Sequence, residues 1–172
     1  MDGLKFRGTR LIKILQDSLG KLSYPKTIII HLKSSLTDES VWMDHEQMAM
    51  VFLDLAKNAV EAMPHGGTLN ITAGGDDHQV IVTLSDTGKG ISKENLPLLF
   101  TPFFTTKPVG EGTGLGLPQA FSIVKGHSGD ISVESNADPQ QGPTGTTVRI
   151  TLPRRQKFQD KEARVILHEE GD

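Results

Sequence analysis

Cysteine is absent from the 172 residues, which removes disulfide frameworks and thiolate chemistry. No apolar run approaches the roughly 20 residues needed to span a bilayer. The opening Met1-Asp2-Gly3-Leu4-Lys5 lacks the apolar stretch of a signal peptide, so a cytoplasmic location and no membrane contact are the default expectations. An excess of one charge is also missing: the formal charge is −3, with 23% of residues charged. That balance supplies no basic footprint for nucleic acid. No Gly-Lys-Ser/Thr occurs to make a Walker loop, and no glycine fingerprint opens a βαβ unit. Glycine itself is plentiful, 18 residues with a cluster between Asp86 and Gly116, where close backbone approach or positive φ is required.

The length suits one globular unit with tails. Leu11, Leu15, Leu19 and Leu22 recur at helical spacing and read as the tail of a longer helix that Pro25 follows. Residues 27–32 read as a strand with Ile28, Ile30 and Leu32 on one face. Asp44, with Gln47 three residues on, is a helix start, and Met48, Val51, Phe52, Leu55, Ala59 and Ala62 follow as one buried stripe. Beside the stripe Asp54, Asn58 and Glu61 stack one turn apart, either a solvated face or a polar line that needs partners. Pro64-His65-Gly66-Gly67 breaks the helix, and residues 68–73 and 78–86 form a hairpin about Gly74-Gly75-Asp76-Asp77.

Val80, Val82 and Leu84 share a face, and the two-residue period puts Asp86 on that inward face at the strand end. An inward carboxylate needs a partner. Residues 92–99 read as helical and 100–116 as irregular, a length of loop that suits a binding element. A helix over 117–125 has Pro118 in its first turn and Gly129 past its end, and strands at 130–135 and 146–152 complete the sheet. The charged segment after Pro153 marks a domain boundary. His31, His65, His78, His127 and His168 have no metal-ligand spacing and read as strand, turn or tail residues.

Gly112-Thr113-Gly114-Leu115-Gly116 opens a helix, whose free N–H groups and positive dipole end make a phosphate seat. Asn58 and its stacked neighbours offer hard oxygen ligands for the magnesium that accompanies ATP phosphates. The plainer alternative is glycines in turns and a capped aspartate.

At this point the chain resembles the catalytic domains of sensor histidine kinases, in the superfamily shared with gyrase, heat-shock chaperone and mismatch-repair ATPases. The resemblance covers residues 25–153. Leu53-Asp54-Leu55-Ala56-Lys57-Asn58-Ala59-Val60-Glu61-Ala62-Met63 resembles the N box and Asp86-Thr87-Gly88-Lys89-Gly90-Ile91 the first glycine box. Phe100-Thr101-Pro102-Phe103-Phe104-Thr105-Thr106-Lys107 is similar to the F box, and Gly112-Thr113-Gly114-Leu115-Gly116-Leu117 to the second glycine box. Gly145-Thr146-Thr147-Val148 resembles the family's final strand.

The resemblance implies an α/β (α+β) two-layer sandwich, a mixed and mainly antiparallel sheet with helices on one face and a mobile ATP lid. It implies that Asn58 binds magnesium between the ATP phosphates and that Asp86 accepts from the adenine amino group. Glu61 and Ala62 of the N box, Gly88, Gly90 and Ile91, Phe104 and Thr105, Thr146, and Gly112, Thr113, Gly114, Leu115, Gly116 and Leu117 line the nucleotide. Phe103 or Phe104 packs the lid, and Lys107 reaches a phosphate. The implied cofactors are ATP and Mg2+. The implied partners are a histidine-bearing dimerisation domain of the same kinase and a response regulator receiver domain, the full-length kinase being a homodimer. Residues 1–24 are then a remnant of the dimerisation-domain helix and its linker, 25–153 the catalytic domain, and 154–172 a charged tail.

Asp54 departs from the asparagine usual in such kinases; a carboxylate there ligates magnesium through water or acts as a base, as the glutamate of the ATPase relatives does. The only His-Glu pairs, His45-Glu46 and His168-Glu169, lie outside any phosphoacceptor context, and His45 reads as a surface histidine. An ATPase switch and a regulatory nucleotide-binding module are the alternative functions. The run Ala163-Arg164-Val165-Ile166-Leu167 faintly resembles the first strand of a receiver domain, against a plain tail.

Overall fold

The computed structural model describes residues 4–108 and 112–155; the receiver-like run at 163–167 and His168 lie outside them. The chain opens with β1 (Phe6–Arg10) and α1 (Leu11–Gly20), then β2 (Ile28–Ser34), β3 (Ser40–Asp44) and the long α2 (His45–Glu61). The hairpin β4 (Gly67–Gly75) and β5 (Gln79–Asp86) follows, and after the glycine-rich stretch come α3 (Gly116–Gly126), β6 (Asp130–Asn136) and β7 (Gly145–Pro153). Five strands form one sheet in the order β2-β4-β5-β7-β6, with β2 and β4 parallel and the other pairs antiparallel.

Alternation builds the core. Leu69, Ile71 and Ala73 of β4, Val80, Val82 and Leu84 of β5, and Ile150 and Leu152 of β7 are buried on one face. Against them lie Met48, Val51, Phe52, Leu55, Ala56 and Ala59 of α2 and Ala120, Ile123 and Val124 of α3. The helices therefore cover a single face. Asp44 caps α2, its carboxylate accepting from the N–H groups of Glu46 and Gln47 at 3.1 Å.

Three expectations are corrected. The segment before Pro25 is no remnant of a longer helix: β1 pairs antiparallel with β3, from Phe6 opposite Asp44 to Arg10 opposite Ser40, and α1 begins only at Leu11. Its buried residues are Leu11, Ile14, Leu15 and Ser18, a face at i, i+3, i+4 and i+7 that joins the common core. The four-residue leucine spacing had skipped Ile14. At the other end, Arg154 belongs to the fold, donating to the carbonyls of Asp38 and Ser40 and, through Nε, of Asp76. Residues 92–99 hold only a 3-10 turn at Leu96–Leu98, because Pro97 has no N–H to extend a helix.

Candidate nucleotide-binding site

Asn58 and Asp54 lie one turn apart on α2, both half-buried, while Glu61 in its last turn is exposed. Ala62 ends the helix, and its carbonyl accepts from Lys89 N–H at 3.0 Å. A Cβ on Gly88 would lie 2.5 Å from that carbonyl oxygen, so only glycine lets the first glycine box press on the end of the N box. Gly90, at φ +72, crosses the Asn136 carbonyl so closely that a Cβ would sit 1.9 Å away.

Asp86 ends β5 half-buried, opposite Thr146 of β7. Its Oδ1 accepts from Gly88 N–H at 2.8 Å and Thr146 N–H at 3.3 Å; among the described residues no hydrogen bond is made to Oδ2. Burial pushes the carboxyl above its ordinary range, and the two N–H donors only partly offset this. Ser135, which no motif singled out, ties the strands together: its hydroxyl accepts from Ile91 N–H at 2.8 Å, donates to the Gly145 carbonyl, and lies 2.8 Å from the Thr146 hydroxyl. Nothing in the sequence distinguishes it from any strand serine.

The F box meets both neighbours. Lys107 forms an ion pair with Glu61, and its N–H donates to the Thr105 hydroxyl at 3.1 Å. Gly112 lies against Thr105 and Lys107, and Gly114, at φ +64, lies against the Phe103 backbone, where Phe103 N–H donates to the Gly114 carbonyl at 2.9 Å. The Thr113 hydroxyl accepts from Leu115 N–H, and Gly116 opens α3 onto open space. Leu117 packs on the core, whereas Leu115 is exposed. Phe104 is half-buried, and Phe103 stands 75% exposed with φ +67. The aromatic anchor of this segment is Phe100, 5.0 Å from the Phe121 ring.

The four boxes, scattered along the chain, thus converge on the ends of α2, β5 and α3. Asp54 is pushed above the usual carboxylate range by burial, with Lys57 opposing. Two hard oxygen donors on one face of α2, Asp54 and the Asn58 amide, fit a magnesium ion.

Residues 43–156 match the family described as histidine kinase-, DNA gyrase B-, and HSP90-like ATPase. The chain belongs to this family. Within it, the chain is of the histidine kinase catalytic type, a domain that binds ATP. Sporulation kinase A of Bacillus subtilis (strain 168) is 40% identical over 128 residues, covering 73% of this chain and 20% of that kinase. The mycobacterial sensor histidine kinase MprB superposes with a TM-score of 0.76 at 27% identity, covering 88% of this chain and 99% of that one. The nucleotide-free catalytic domain of histidine kinase ThkA gives 0.73 at 25% identity over 87% and 98%, and ThkA has also been solved in complex with the response regulator protein TrrA. The chain spans about a fifth of the length of the curated relatives it matches first.

Proposed function

We propose that this ATPase-family domain is the catalytic part of a two-component sensor kinase that passes the γ-phosphoryl of ATP to a histidine on a separate dimerisation domain. The observation that carries this reading is Asp86: a half-buried carboxylate with both backbone donors on one oxygen, leaving the other for the adenine amino group. Magnesium, held by Asn58 with Asp54 beside it, neutralises phosphate charge, and Lys107 exchanges Glu61 for a phosphate. Catalysis is then positioning and charge stabilisation, with no covalent nucleophile on this chain. Among the described residues no helix is long and apolar enough to cross a membrane, and we place the domain on the cytoplasmic side, where ATP is found. The parent kinase works as a homodimer and hands its phosphoryl group to a response regulator, a partner that the ThkA complex supports.

One observation favours a second reading. Asp54 is a carboxylate whose proton affinity is raised by burial, suited to activating water as in an ATPase switch. Incubation with magnesium and labelled ATP decides between them. The chain alone should bind ATP and gain no acid-labile phosphate, since none of its six histidines sits in a phosphoacceptor motif. It should slowly label a separately made dimerisation domain of its own kinase, because untethered partners meet at low effective concentration. Asn58→Ala should reduce this transfer more than it reduces ATP binding. Steady phosphate release without an acceptor, abolished in Asp54→Asn, would make the switch the correct reading.

A further inference from the structure

His127 is fully buried, at 0% exposure, and takes no part in the nucleotide site. It is the residue that caps the carboxyl end of α3. Both ring nitrogens are engaged. Nδ1 lies 2.8 Å from the Ile123 carbonyl, which can only accept, and Nε2 lies 2.9 Å from Asp44 N–H, which can only donate. The ring is therefore the neutral Nδ1–H tautomer. The Phe6 ring packs against it in a T-shaped arrangement, with 5.0 Å between centroids.

Asp44 is the other half of the node. It stands opposite Phe6 in the β1–β3 ladder, its Oδ2 accepts from Lys5 N–H at 2.8 Å, and its Oδ1 caps α2. The entering strand, the start of α2 and the end of α3 are thus joined at one point. From there the two packed helices run to the site. At 1.5 Å per residue Asn58 lies about 21 Å along α2 and Gly116 about 16 Å back along α3. A charged ring would present an N–H to the Asp44 N–H and break the joint. Burial disfavours that charge more than the Ile123 carbonyl and the Asp44 carboxylate favour it, which holds the imidazole below its ordinary range and keeps the ring neutral at pH 8. Other ionisable groups on these elements are Lys5 before β1, Arg7 and Arg10 within it, His45, Glu46, Asp54, Lys57 and Glu61 along α2, and Lys125 of α3, which pairs with Asp130.

We propose that His127 is a positioning residue for nucleotide binding: it pins the distal ends of α2 and α3 to β1, so that releasing that strand weakens the grip on ATP at the opposite end. The inference rests on the nucleotide reading above. ATP titration calorimetry on the full chain at pH 8, where the ring is neutral, tests it with three variants whose folding is checked by circular dichroism. His127→Leu, which removes both bonds, and Phe6→Ala, which removes the β1 ring packed on His127 and leaves both bonds possible, should each weaken ATP binding at pH 8 by about fivefold or more, the lower range of site-to-site coupling. His127→Gln, which retains one donor and one acceptor, should bind like the parent, a rescue that a merely space-filling role for the ring would not give. If His127→Leu fails to fold, Phe6→Ala and His127→Gln carry the test. ATP affinity in folded Phe6→Ala equal to that of the parent, or a folded His127→Gln weakened as much as His127→Leu, overturns the pin. A parent chain that binds no ATP at pH 8 overturns the nucleotide reading instead.

Discussion

The two ends of the helix layer are built on opposite terms. At the end where α2 starts and α3 finishes, Met43, Met48, Val124 and His127 are all fully buried, and polar groups such as Asp44 are matched to specific donors. At the end where α2 finishes and α3 begins, the backbone turns through positive φ at Gly90, Phe103 and Gly114, and Phe103 and Leu115 face solvent. The same helices serve both. Side chains interlock at the first end, and the second, exposed and with backbone strain, has the features that functional segments generally have.

The sharpest way to break this contrast is Phe52→Ala. Phe52 is 2% exposed in the middle of the core, and truncation should cost about 3–5 kcal/mol in urea unfolding, while ATP affinity, corrected for the folded fraction, stays within about twofold. An affinity that collapses with the core would mean that ATP binding follows core packing as a whole and not the helix-end joint at His127. Asp86→Asn should do the reverse, removing a charge-assisted acceptor and about 1.5–3 kcal/mol of ATP binding. Because burial raises the folded carboxyl's pKa, its favourable contribution is complete only below the unfolded value near 3.9 and is lost as pH rises through the folded one. At pH 7 the charged group is thus a net cost, so the variant should be no less stable than the parent, as thermal melts at pH 7 will check. The smallest effect is expected for Phe103→Ala, within about 0.5 kcal/mol in the same melts because the ring has few contacts to lose. A larger loss would give the open end a structural part.

Much of this was readable from residue order. The period of Val80, Val82, Leu84 and Asp86 placed a carboxylate inward at a strand end, the Asp44 cap and its stripe defined α2, and the glycine boxes located the site. What escaped depended on partners far along the chain. β1 and β3 are short strands without apolar alternation, visible only through their mutual pairing. Glu61 and Lys107 meet across 46 residues, and His127, read as a strand, turn or tail residue, is instead the buried cap of α3 that receives a bond from Asp44 83 positions away. Ser135 acquires its role only when β6 lies beside β7. Local spacing encodes elements and motifs; it does not encode which side chains the sheet brings together.

Arg154 carries a consequence for synthesis. Its N–H donates to the His78 carbonyl at 2.8 Å, its own carbonyl accepts from Trp42 N–H at 2.9 Å, and its guanidinium reaches back 116 positions to Asp38. On the ribosome, β1, β3 and the β4–β5 hairpin emerge long before the residue that stitches them together. Until the last strand clears the exit tunnel, the edge of β3 at Trp42 lacks its native backbone acceptor, and a nascent chain stalled just short of Arg154 would offer that edge to chaperones or to other chains.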